Sequence, residues 1–317
     1  MHGLRLWAPV VASCLAATSC SMAKFGYDTL PTWAHWQVER YFALDDEQRE
    51  IVSRNLDELH RWHRRSQLPQ YVAFLREVDD GLRNSVDAAD VARWRDRVAE
   101  AWIPLADRIA PGLAELALTL RPEQIDRMRK RLEESNEEAR EKYLPIDRPV
   151  EEVRAERVVK RAEFFFGKLT RAQQRELQTL AAVLPPSEET WLAERESRQK
   201  RFVALLRKIH RERPSRAEAT RLCREYLRSM WHSHDARRRD RIEATTAASD
   251  ELSAYMLARA TPAQRAHLSK LLRGYAHDTE ALSGRGQFAD AHAGSGGAGR
   301  VAPTAMTAGD AAMLGFR

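Results

Sequence analysis

The chain has 317 residues, 31% of them charged and 43% apolar, with a net charge of +6 and a pI near 9.4. That length suffices for one large or two modest domains, and three cysteines are too few for a fold built on disulfides. Six excess positive charges spread over the whole chain are a weak signal of any partner.

Residues 1–5 carry a positive end with Arg5, an apolar run follows from Leu6 to Ala17, and small residues come next. This is the layout of an export signal. About twelve apolar residues in helical form span roughly 18 Å against about 30 Å for a bilayer core, too short for a retained transmembrane helix. Pro9 weakens a helix there further. The stretch Leu15-Ala16-Ala17-Thr18-Ser19-Cys20-Ser21 resembles the lipobox of bacterial lipoproteins. In those proteins the thiol is acylated, the signal (here residues 1–19) is cleaved, and the cysteine becomes the first residue. Val11-Ala12-Ser13-Cys14 is a rival box, with too short an apolar region before it. The plain alternative is an ordinary secretory signal with Cys20 as a bystander. Acyl chains contribute about 0.8 kcal/mol per buried CH₂, and more than one makes an anchor stable. Ser21 stands where inner-membrane retention signals of such lipoproteins usually have Asp, so the resemblance implies the outer membrane, facing the periplasm.

That address removes nucleic acid from the expected partners and turns a mildly basic surface toward anionic lipid or cell-wall polymer. With Cys14 cleaved away and Cys20 acylated, Cys223 is the remaining thiol. The body then has no internal disulfide and is stabilised by packing alone. Residues 20–43 hold the anchor and an aromatic first helix with Trp33, Trp36 and Tyr41. Core packing is the expected use of these rings, and seating among headgroups the alternative.

From residue 44 to 282 apolar residues recur at helical spacing, without alternating strand patterns. Stripes run through Ile125, Met128, Leu132, Ala139 and Tyr143, and through Ala155, Val158, Ala162, Phe165 and Leu169. Two more run through Phe202, Leu205 and Ile209, and through Cys223, Tyr226 and Met230. Each predicts a helix with one buried face, so the fold class is all-α, an elongated helical bundle. Cys223 within its stripe reads as a buried, inert thiol.

A phrase beginning at Leu44, Leu120, Leu169 and Ala260 places Gln at 48, 124, 173 and 264. Asp45, Thr170 and Thr261 can cap a helix, Pro122 and Pro262 suit its first position, and the Gln can return a bond to the cap. Arg121 cannot accept such a bond. Val52, Met128, Leu177 and Leu268 follow each Gln by four and begin a buried stripe. The order of features repeats: a capped helix, Leu-Pro (Leu68-Pro69, Leu184-Pro185), further helices with Trp102 or Trp231, then a second capped helix. Halves 44–143 and 169–282, joined by a helix over about 153–168, are the expected duplication. From residue 283 to 317 the composition turns to Gly, Ala, Ser and Thr, which predicts a disordered tail.

Few constellations carry chemistry. Gly294 to Gly299 has dinucleotide-loop spacing but follows no strand and opens no helix. His60 with His63, and His232 with His234 and Asp235, lack a third strong ligand, so neither metal nor cofactor is expected. Arg237, Arg238, Arg239 and Arg241 interrupt an amphipathic stretch between Met230 and Leu252. A solvated face or exposed turn accounts for them, and an anion-binding patch is the sharper reading, since the guanidinium fork matches phosphate geometry.

Cys20-Ser21, the aromatic run from Tyr27 to Tyr41, Leu44 to Gln48, Arg157-Val158-Val159-Lys160-Arg161 before Leu169 to Gln173, Trp191 and the Arg198 to Leu206 stretch together resemble one family. It comprises helical lipoproteins of Gram-negative bacteria filed as a domain of unknown function, and the likeness covers about residues 20–282. The phrase around each Gln is also similar to the Leu-Thr-x-x-Gln motif of Spy and CpxP-type periplasmic chaperones, from which Arg121 and Ala260 depart. These resemblances imply a non-catalytic structural, binding or chaperone-like role. The expected partners are the membrane through acylated Cys20, envelope proteins, unfolded clients or anionic cell-wall polymer. A tethered activator of a cell-wall enzyme is the alternative, and an enzyme acting on wall or lipid a more distant one.

Overall fold

A computed structural model describes residues 26–284, and among them the chain is all-α, with twelve helices and no strand. The signal segment, Cys20 and the tail beyond Gly284 lie outside the described residues. The helices are α1 Leu30–Phe42, α2 Asp46–Ser66, α3 Leu68–Gly81, α4 Ala88–Glu100, α5 Trp102–Thr119 and α6 Pro122–Tyr143. They continue as α7 Val150–Phe166, α8 Arg171–Ala182, α9 Glu188–Glu212, α10 Arg216–Arg228, α11 Ala236–Arg259 and α12 Pro262–Gly284. A 3-10 turn, Ser229–Trp231, follows α10. No described helix is long and apolar enough to cross a membrane.

The helix starts follow from their sequence. Asp45 and Thr170 each accept from the backbone N–H of the residue three on, and Gln48 and Gln173 accept from the cap's own N–H at 3.2 and 3.0 Å. Thr261 and Gln264 do the same for α12. At Arg121 only half of the box forms: Gln124 accepts from the Arg121 N–H at 3.0 Å, and no side-chain acceptor faces the other way. Three caps went unread in the sequence, Asp87 with Asp90 at α4, Ser215 with the Glu218 N–H at α10 and Asp235 with the Arg238 N–H at α11. Each such cap stabilises its helix by about 1 kcal/mol. Val52, Met128, Leu177 and Leu268 are all buried.

The described chain forms two compact units. The first contains residues 26–76 and 273–284. In it α1 lies against α2, with Phe42, Leu44, Ile51, Val52, Leu68 and Val72 buried. Trp36 is 54% exposed, while Trp33 and Tyr41 are half-buried. Tyr27 docks on α2: its hydroxyl bonds His63 Nδ1 at 2.9 Å, and His60 Nε2 lies 3.2 Å from its carbonyl oxygen. Burial pushes the Tyr27 phenol up to about 12 and holds the His63 imidazole down at about 4.

The second unit contains residues 77–272. Its tightest pairing is α5 along α10. Ala106, Ala110, Ala114 and Ala117 recur at helical spacing on α5 with no exposed surface, and Ala219 and Cys223 on α10 are equally sealed. Small side chains on both faces let two backbones approach closely, where larger ones would hold them apart. Asp107 then clamps Arg228 through two bonds of 2.7 and 2.5 Å, and the guanidinium holds that carboxyl below its usual range. Helices before α7 pack on helices after it: α5 lies on α10 and α4 on α11. Likewise α6 lies on α9, and Ser269 of α12 donates to Asp79 of α3.

Candidate functional site

Helix α9 breaks the usual binary pattern. Its C-terminal half turns Val203, Leu206 and Ile209 into the core. On its N-terminal half, Glu188, Trp191, Glu194, Arg195, Arg198 and Arg201 recur at spacings of three or four, and Glu188 and Glu194 are buried. Residues so spaced share one face, so a row of charges points where apolar side chains would ordinarily sit. Burying charge is costly unless it is paired, and the pairing around this row is uneven.

At the first end the carboxylate is fully engaged, while Arg157 Nη1 is buried without a hydrogen-bond partner. Glu188 accepts from Arg154 Nε and Nη2 at 3.0 and 2.7 Å, and from Arg157 Nη2 at 2.5 Å. Arg154 Nη1 also reaches the Leu184 carbonyl at 3.2 Å. Burial works to raise the Glu188 pKa, but the two guanidinium groups outweigh it and hold the carboxyl below its ordinary value. One turn on, Trp191 lies against Tyr143 with ring centroids 4.9 Å apart. Arg195 stacks over Trp191 and Arg157 over Tyr143, at 5.7 and 5.1 Å from the ring centres. Arg195 donates to Asn136 Oδ1 at 2.9 Å and Ser135 Oγ at 2.8 Å, and Asn136 in turn donates to Gln199 at 2.6 Å.

The second end is over-supplied with positive charge. Glu194 accepts from Ser233 Oγ at 2.7 Å and from Arg238 Nε at 3.2 Å, with Arg201 Nη2 3.8 Å away. Arg238 also lies 3.7 Å from Asp235. Arg198 Nη1 donates to the Met230 carbonyl at 3.2 Å, and burial lowers the pKa of that guanidinium. All three nitrogens of Arg201 are buried without a hydrogen-bond partner. Tyr226, stacked on Phe202 at 5.1 Å, closes the floor, and burial pushes its phenol up to about 12. Arg198, Arg201 and Arg238 thus gather around Glu194 and Asp235, one positive charge in excess.

The four arginines read from the sequence divide. The helix is interrupted at His232–Asp235, and Asp235 then caps α11 by accepting from the Arg238 N–H at 2.9 Å. Arg237, Arg239 and Arg241 are exposed, and Arg239 also donates to the Ser233 carbonyl. Arg238 turns inward onto Glu194. Cys20 lies outside the described residues. His60 and His63 are occupied by Tyr27, and His232 and His234 are exposed. Among the described residues no group of three or more His, Cys, Asp or Glu is placed to hold a metal ion. A groove of about 400 Å³ between α7 and α8 is lined by Glu151, Glu152, Ala155, Glu156, Gln178 and Ala182, with Arg148 paired to two of those carboxylates.

The α9 row was missed in the sequence, although one signal was present: charged residues at core spacing between Leu192 and Val203, on a helix otherwise read by its apolar residues. Arg157 and Trp191, singled out earlier for the family resemblance, border this row. No curated protein and no solved structure matches the chain. A family model does, over residues 40–237, a narrower stretch than the resemblance suggested, which holds the α9 row but not Cys20, Arg238, Arg239 or Arg241. The chain therefore belongs to the family of unknown function DUF6279.

Proposed function

We propose that this chain is an outer-membrane lipoprotein, anchored at acylated Cys20 and facing the periplasm, whose helical body binds an anionic envelope component without catalysing a reaction. The observation that carries the binding half is the excess of guanidinium groups on α9 and at the start of α11, with Arg201 lacking any hydrogen-bond partner. The exposed Arg237, Arg239 and Arg241 extend that positive face from the same helix start. Arginine forks recognise phosphate and carboxylate groups, and in the envelope such groups belong to lipid headgroups and wall polymers. The anchor half is supported by the run from Leu15 to Ser21.

The chaperone-like variant of this role draws on the repeated Gln phrase. The residues of that phrase are engaged in helix caps and in a bond between Gln173 and Gln264 at 3.0 Å, which accounts for them without a client. Anion binding is therefore the stronger reading.

Three measurements test it. Reversing Arg237, Arg239 and Arg241 to Glu is expected to lower co-sedimentation with anionic liposomes and purified cell wall several-fold, and unchanged sedimentation would sink the binding half. Mass spectrometry of the mature amino end should find an acylated Cys20, and C20S should release the chain from the membrane fraction. An unacylated mature end would overturn the anchor.

A further inference from the structure

We infer that one face of α1, formed by Leu30, Trp33, Trp36 and Arg40, seats in the headgroup layer of the bilayer that holds the acyl chains of Cys20. This rests on the anchored reading above and adds how the body meets the membrane. The four residues recur at spacings of three, three and four, so they make one stripe along the thirteen residues of α1, a length of about 20 Å. Leu30 is 44% and Trp36 54% exposed, Arg40 is exposed and Trp33 half-buried. The opposite side of the helix is covered: Phe42 is buried and α1 lies against α2.

Reach is the first reason to place lipid on this stripe. Tyr27 follows Cys20 by seven positions, so even a fully extended chain holds the two within about 25 Å. Tyr27 is itself fastened to the body. Its hydroxyl bonds His63, its ring lies 5.3 Å from the Arg64 guanidinium, and Arg64 also pairs with Asp28. Acyl chains on Cys20 therefore bring the start of α1, three residues past Tyr27, close to the bilayer surface, whatever path the intervening residues take.

Chemistry is the second. The stripe offers an aliphatic side chain, two indoles and a cation, with no carboxylate among them. Indole rings with an N–H to satisfy favour the boundary between hydrocarbon and water. The Arg40 guanidinium lies 5.8 Å from the centre of the Trp36 ring and meets no carboxylate among the described residues, which leaves its fork open to headgroup phosphate. The nearby acids are engaged elsewhere, Asp28 by Arg64 and Glu39 by Arg49. Helices that bind membranes unaided present a broad apolar face with several basic residues. The α1 stripe is smaller than that, so it orients a body that the acyl chains hold, and C20S still leaves the membrane.

The test uses the full mature chain, residues 20–317, with C223A so that Cys20 is the one thiol. That thiol is coupled to maleimide lipid in vesicles of phosphatidylcholine and phosphatidylglycerol. The tether is thereby imposed, and the result does not depend on natural acylation, which mass spectrometry reads separately. Indole fluorescence is followed with bromine placed high or low on the lipid chains. Bromine near the headgroups is expected to quench more than deep bromine, and W36F to remove about half of that quenching or more. W33F should remove a smaller share. R40E should lower the quenching on these vesicles and have little effect on phosphatidylcholine alone. Far-UV circular dichroism checks that each variant keeps its helices. Quenching that is absent, or equal in the parent and W36F, overturns the seat and leaves the anchor standing. A C20S chain that dimerises in light scattering and loses the dimer on W36F also overturns it, because a second copy would then cover the stripe.

Discussion

Trp102 meets Trp231 edge to face, with ring centroids 6.5 Å apart and planes at 61°, while Trp102 Nε1 donates to the Leu227 carbonyl at 2.8 Å. Trp102 opens α5 and Trp231 closes the turn before α11, so two helix junctions far apart in sequence touch each other. Replacing Trp102 by Phe should cost about 1 kcal/mol through the lost hydrogen bond, and by Ala about 3 kcal/mol. A double-mutant cycle in urea with Trp231→Ala should return a coupling of about 0.5–1.5 kcal/mol. Additive losses would show that the rings do not interact.

Glu188 and Arg154 retain 3% and 7% of their side-chain surface, a deeply placed ion pair. R154A should therefore lower stability by about 3–5 kcal/mol, because it leaves a buried carboxylate with only Arg157 opposite. The Glu188 carboxyl is held below its ordinary 4.5, so its contribution is present above that pH and is lost as acid protonates it. Chemical denaturation of the parent and the variant at pH 7 and at pH 4 should converge toward the lower pH.

A second pH effect belongs to the first unit. Burial, followed by the neighbouring His60, holds His63 down at about 4 against an ordinary 6.5. Burial likewise lowers His60. The folded state thus prefers neutral rings, and stability that is fully present above pH 6.5 declines as pH falls through that value toward about 4. After allowance for solvent around the ring, the decline should amount to about 1–2 kcal/mol. Between pH 6.5 and 5 ordinary carboxylates stay charged, so the slope in that window reports the histidines. H63F should flatten it, and an equal slope in H63F would remove the assignment.

Cys223 is sealed between α10 and its neighbours, and burial pushes its thiol up to about 12. Thiolate is the reactive form, so maleimide labelling of the native chain should be slower than that of the urea-unfolded chain by orders of magnitude. Fast labelling of the folded protein would mean that α5 and α10 separate readily.

The helical class and the capped starts were legible because they depend on neighbours in sequence: a cap, a Gln three residues on, an apolar residue four after that. The same local logic found Ile125 and Met128 of α6 but overlooked the buried Asn136 and over-called Leu132, Ala139 and Tyr143. It also misplaced the face of α9 by one position, taking Phe202 and Leu205 for its centre instead of Val203 and Leu206. Periodicity cannot register two adjacent rows when the charged row also points inward. Nor could it foresee that Arg238 would abandon the exposed patch for Glu194, since that partner lies 44 residues away. The arginine cluster around Glu194 depends on α9 and α11 converging in space, and no spacing within one helix encodes that convergence.

Reciprocal pairing of α5 with α10 and of α4 with α11 also constrains how the chain can be made. Ser269 reaches Asp79 across 190 residues, so the first run of helices cannot complete its packing until nearly all of the second has emerged. A chain cut after α7 would leave the alanine face of α5 uncovered, and neither fragment should persist alone in solution. Folding is then an all-or-nothing affair governed by distant closures, slow for so helical a protein. Whatever escorts the nascent polypeptide must keep it unaggregated until its last helices arrive.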